Sequence, residues 1–109
     1  MQLHRLAEER SLAFHRAVAE RLRADPSIVI RARHRLERWR AEGIVHGEYV
    51  DAWLEILGRP IDRVVAELVD ASDRMRALRQ STPFAGVIDP RTRWRIWRET
   101  KQRLEAEGA

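Results

Sequence analysis

The chain has 109 residues and a mass of 12.8 kDa, enough for one domain and too little for the two lobes of most large enzymes. Hydrophobic residues make up 44% and charged residues 35%, which supports one modest core and excludes a disordered composition. Cysteine is absent, excluding disulfide frameworks, thiolate nucleophiles and Cys-based metal sites, while a net charge of +4 and a pI near 10.8 point to an acidic partner.

From Met1 to about Ala24 the residues Leu3, Leu6, Phe14, Ala17, Val18 and Leu22 recur at three- and four-residue steps, the period of an amphipathic helix. Leu12 falls off that stripe. Asp25-Pro26 combines a capping carboxylate with a proline suited to a first helical turn, so a second helix is predicted there. Its stripe is Val29, Ala32, Leu36 and Trp39, and Gly43 is its stop. Tyr49, Val50, Trp53, Leu54 and Leu57 predict a third helix ending at Gly58, and Pro60 opens a fourth with Ile61, Val64, Val65 and Leu68 inward. Asp70 with Asp73 reads as a cap followed by a first-turn acid, which predicts a fifth helix over Ala71 to about Gln80 with Met75 and Leu78 in the core, or else one bent helix.

Residues 81 to 89 break the helical period. Thr82 is restrained by Pro83, and Phe84, Ala85, Val87 and Ile88 surround Gly86 in an extended or turning apolar strap. Asp89-Pro90 repeats the device of Asp25-Pro26 and starts a last helix, with Trp94, Trp97 and Leu104 expected on one face and Ile96 elsewhere. Residues 105 to 109 are expected to fray. The fold expected is all-α: one domain over 1–109, an irregular bundle of five to six helices with one non-helical apolar segment near 81–89. No apolar run approaches the roughly 20 residues of a membrane span, and the N-terminus has no apolar signal-peptide core, so no membrane partner and a cytoplasmic location are expected.

Charge is segmented. Residues 26–41 carry +4, residues 42–73 carry −6, and residues 74–98 carry +6. All basic residues except Lys101 are Arg, a side chain that forks onto carboxylate and phosphate and stacks on flat groups; a GC-rich genome writing Arg for Lys produces the same bias. The histidines His4, His15, His34 and His46 show no two-His metal spacing, although His15 and His34 can meet across two helices. Carboxylates alternate with arginine at helical spacing, as solvated faces do. No glycine-rich phosphate loop or serine-nucleophile motif occurs. No cofactor, metal or catalytic residue is therefore expected and the chain reads as a non-enzyme; were it an enzyme, His15, His34 and His46 beside acidic side chains would come first.

The span Arg74–Glu99 combines Arg, Trp and the strap. Trp94 and Trp97 lie three residues apart on one helix, with Arg91, Arg95 and Arg98 on neighbouring rows. Tryptophans at this spacing commonly fill a core. Trp and Arg also dominate interface energies, and one indole can pack inward while its neighbour sits at a rim. The candidate partner-binding residues are Arg79, Phe84, Arg91, Trp94, Arg95, Trp97 and Arg98. Arg31, Arg35 and Arg38, on one side of the second helix, are candidate nucleic-acid contacts, although the acidic residues Glu48, Asp51 and Glu55 that follow would repel phosphate.

The string Leu78-Arg79-Gln80, Pro83-Phe84-Ala85-Gly86-Val87, Asp89-Pro90-Arg91, Arg93-Trp94 and Ile96-Trp97-Arg98 resembles the C-terminal signature of a group of small bacterial proteins. Ser11-Leu12-Ala13 with His15, and the run from Arg21 to Pro26, resemble their N-terminal part. Members of that group are encoded beside nucleotidyltransferase-like toxins of the AbiEii or MenT type, which implies an antitoxin that neutralises its toxin by direct contact. The resemblance assigns no individual residues. The expectation is thus a protein-binding antitoxin or accessory subunit, with a nucleic-acid-binding regulator or a homo-oligomeric structural module as alternatives.

Overall fold

The structure, a computed structural model, describes residues 2–108. Those residues form six helices and no strand: α1 (Leu3–Ala24), α2 (Ser27–Glu42), α3 (Gly47–Leu57), α4 (Ile61–Leu68), α5 (Asp73–Arg79) and α6 (Pro90–Glu107). The fold is the expected all-α irregular bundle, with turns replacing helix between α5 and α6.

Helix boundaries follow local chemistry. The Asp25 carboxylate accepts the Ser27 backbone N–H at 3.2 Å and opens α2. Gly43, at φ +68°, closes it: the Gly43 N–H reaches the Arg40 carbonyl and the Ile44 N–H reaches the Trp39 carbonyl. These two bonds satisfy orphan carbonyls in a conformation that a side chain would strain. Asp89 accepts from the Thr92 N–H at 2.9 Å and the Thr92 hydroxyl at 2.6 Å, with Pro90 in the first turn of α6. The fifth helix differs from expectation. Its cap is Ser72, whose hydroxyl accepts the Met75 N–H at 3.2 Å, while Asp70, two residues earlier, accepts the Ser72 N–H at 3.0 Å. The helix therefore begins at Asp73 rather than Ala71.

Burial selects most of the predicted stripes and adds Ala19, Ile28 and Ile56 from the helices, while Tyr49, counted on the third stripe, is exposed. Leu3, counted on the first stripe, is 81% exposed. Trp53 is fully buried; its indole N–H donates to the Leu78 carbonyl at 3.1 Å, and its ring meets Phe84 edge-on at 5.9 Å. Phe84 thus pegs the strap into the core. The strap turns where the Val87 N–H meets the Phe84 carbonyl at 3.1 Å, with Gly86 at φ +92°, the position at which a type II turn requires glycine.

α1 is the spine, packed against α4 and α6, while α2 packs chiefly on α3. α6 packs against α1 alone among the helices. The two run antiparallel: Arg5 pairs with Glu107 at 3.0 Å, Arg103 with Glu9 at 3.0 Å, and the Arg10 Nε donates to the Trp97 carbonyl at 3.1 Å. Leu6 and Leu104 are buried at that end but stand outside the main apolar cluster. The helix continues to Glu107, so residues 105–107, expected to fray, are helical. With α6 laid along one side, the radius of gyration is 14.3 Å and the long axis 45 Å, against about 13 Å for the radius of a compact domain of this size.

Candidate functional site

Because α6 packs on α1 alone among the described helices, only a narrow stripe of it is covered. That stripe is Thr92, Ile96, Thr100 and Leu104 at four-residue steps; the Thr100 hydroxyl donates to the Ile96 carbonyl at 2.7 Å, so its polarity is satisfied. The reading that grouped Trp94 and Trp97 with Leu104 on one face, and Ile96 elsewhere, is corrected: Leu104 and Ile96 face inward, and both indoles are exposed. Trp94 is 63% and Trp97 39% exposed. At roughly 100° per residue, Arg91, Trp94, Arg95 and Arg98 share the outward sector, with Trp97 on its flank.

Most charges of this face have no carboxylate partner among the described residues. Arg95 has only Glu99, at 4.0 Å. Among the described residues, Arg91, Arg93 and Arg98 have no carboxylate within 4 Å, whereas Arg5, Arg40, Arg59 and Arg103 are all paired within the chain. Arg10, from α1, lies over the Trp97 ring at 4.5 Å from its centroid, a cation–π contact that holds the indole in place.

Two of the expected partner-binding residues are interior. Arg79 is 4% exposed, and its Nη1 donates to the carbonyls of Leu68 at 3.2 Å and Asp70 at 2.8 Å. Leu68 is the last residue of α4, so Arg79 caps that helix with positive charge. Burial lowers the Arg79 pKa from the usual arginine range, and Arg76 adds to the effect. Phe84 is wholly enclosed. Arg79 therefore does not converge with Arg91, Arg95 and Arg98; the latter three do.

The candidate nucleic-acid residues are divided. Arg35 donates to the Pro83 and Ala85 carbonyls and secures the strap. Arg31 pairs with Asp25 at 3.4 Å, and Arg38 is exposed. The neighbouring acids expected to repel phosphate are partly engaged, Asp51 by Arg40 and Glu55 by Arg59 at 2.9 Å.

His15 and His34 do not meet: His34 is exposed, and His15 is 1% exposed. The His15 Nδ1 lies 2.7 Å from the Ser11 carbonyl, and its Nε2 lies 2.9 Å from the Thr82 hydroxyl. The consistent tautomer donates from Nδ1–H and accepts at Nε2. Burial pulls the His15 pKa down to about 4, with the Ser11 hydrogen bond opposing and Arg79 assisting. The spacing of His15 with Val18 and Leu22 was the signal for this burial. Among the described residues, no three His, Asp or Glu side chains gather to hold a metal ion.

Two depressions flank α6 where it crosses α1. An open groove of about 600 Å³ on the Thr92 side is lined by Arg16, Glu20, Arg95, Glu99 and Arg103 among others. A smaller recess of about 220 Å³ on the Trp97 side is lined chiefly by Phe14, His15, Thr82, Arg93 and Trp97. No helix among the described residues is long and apolar enough to cross a membrane. No protein-family model, curated protein or solved structure matches the chain.

Proposed function

We propose that this chain is a protein-binding module that acts by contact, an antitoxin or accessory subunit that occludes a nucleotidyltransferase-like toxin, with the outer face of α6 as its contact surface. The observation that carries this reading is the exposure of Trp94 within a row of arginines on a helix anchored by a single neighbour. A monomer gains nothing from a solvated indole. Covering it on a partner contributes on the order of 2–3 kcal/mol, and indoles flanked by arginine are the side chains that dominate interface energies. Arg91 and Arg98, without carboxylate partners of their own, suit an acidic counterpart, such as the carboxylates that hold metal in a nucleotidyltransferase.

The test is co-expression with the protein encoded beside this one, followed by purification and titration. A stable complex at micromolar concentration is expected. Trp94→Ala should weaken it by about 2 kcal/mol without lowering the thermal unfolding midpoint, because Trp94 contributes little to the core. Absence of a complex, or one indifferent to Trp94→Ala and Arg98→Glu, overturns the reading.

A further inference from the structure

We propose that the recess between α1 and α6 beside Trp97 receives one bulky apolar side chain from an acidic segment of the partner, an inference that rests on the contact surface described above. The recess is too small for a whole ligand: about 220 Å³ lies below the roughly 300–1,000 Å³ of small-molecule pockets. It matches one anchoring side chain.

Its floor makes no polar demand. Phe14 contributes a ring, and His15 meets it edge-on at 5.2 Å with both ring nitrogens already engaged by Ser11 and Thr82. Arg79 reaches the lining with its Nη1 committed to two carbonyls. No buried side-chain nitrogen or oxygen among the described residues lacks a hydrogen-bond partner, so the enclosed floor asks for no polar atom of an occupant. The wall is built in advance: Arg10 lies over Trp97 and is bonded to its carbonyl, and a preformed wall lowers the ordering cost of binding.

The rim selects the flanks. Arg93 lines the opening, and Arg91 and Arg98 stand nearby on the same helix, all three without a carboxylate within 4 Å among the described residues. A segment with acids on both sides of its anchor neutralises them. A second copy docking α6 against α6 would instead oppose arginine to arginine, which is repulsive.

The probe is a fluorescein-labelled synthetic peptide of glutamate and serine with one central phenylalanine, compared by anisotropy with the same peptide carrying alanine there. The phenylalanine peptide should bind at least about tenfold more tightly. Ala7→Phe, which fills the recess from the exposed rim of α1, and Arg93→Glu should each remove that advantage, whereas Arg63→Glu on α4 should not. Equal affinity of the two peptides, no binding by either, or full binding to Ala7→Phe overturns the proposal. So does a dimer of the chain alone that Ala7→Phe dissolves, since a second copy would then occupy the site. In the complex with the co-expressed partner, sensitivity to Trp94→Ala with indifference to Ala7→Phe removes the anchor site while leaving the α6 surface standing.

Discussion

His15 sits at the seam between α1 and the strap as a neutral ring, donating to Ser11 and accepting from Thr82, whose hydroxyl oxygen also takes the Phe84 N–H at 3.2 Å. A proton on Nε2 would turn its acceptor into a donor facing a hydroxyl already tied to that N–H. The folded-state pKa of about 4 lies below the 6.5 of an unperturbed histidine, so the unfolded chain binds the extra proton first. This contribution to stability is full above pH 6.5 and is lost as pH falls toward 4, at up to about 1.4 kcal/mol per pH unit. Unfolding free energies measured in urea across that window should show the slope, and His15→Gln should flatten it. Asp25, Asp70 and Asp89 act lower: hydrogen bonds from Ser27, Ser72 and Thr92 depress their pKa values, so their contribution is present above the ordinary carboxylate range and is lost below it. Arg79 yields a second expectation. Arg79→Met leaves the carbonyls of Leu68 and Asp70 without this donor and should cost about 2–3 kcal/mol, read as a lower urea midpoint. Sequence alone did not separate this arginine from its exposed neighbours, because its role depends on the end of α4 lying across from it.

At the scale of elements, α6 is the one that packs against a single helix and buries only Thr100 and Leu104 of its length. Its apolar hold is Ile96 and Leu104, and the remainder is exposed ion pairs to α1, each worth no more than about 1 kcal/mol. Native-state hydrogen exchange should therefore be faster in α6 than in α3 and α4, whose residues Trp53, Ile56, Val64 and Leu68 are fully enclosed. Leu104→Ala should widen the difference by accelerating exchange in α6 while leaving α4 protected; equal protection throughout would show a single cooperative unit. Helix order and most boundaries were legible from Asp-Pro starts and glycine stops, since those signals act within one turn. The orientation of α6 was not. Two indoles outweigh one isoleucine and one threonine in any hydrophobic count, yet a helix with one neighbour can bury only what faces that neighbour. The fifth helix shows the same limit at short range, where Asp70 and Ser72 both had capping chemistry and geometry chose the serine.

At the scale of the whole molecule, one basic surface stands apart from the acidic helices. The acidic run 42–73 makes up α3 and α4; the basic helices α2 and α5 pack against it, whereas Arg91, Arg93, Arg95 and Arg98 lie on α6, which packs on neither acidic helix. The segmentation was plain in the sequence; the distance of the α6 arginines from the acidic helices came from α1 standing between α4 and α6. Such a field steers encounter more than it strengthens the final complex. Association with an acidic partner should slow steeply as ionic strength rises, and Arg91→Glu with Arg98→Glu should reduce the association rate more than they raise the dissociation rate, as stopped-flow mixing would show. The contrast between Trp53, fully enclosed, and Trp94, 63% exposed, also gives the molecule a built-in optical readout. Iodide in the solvent will quench the emission of Trp94 and spare that of Trp53, so a bound partner reports its own arrival as a loss of quenchable light.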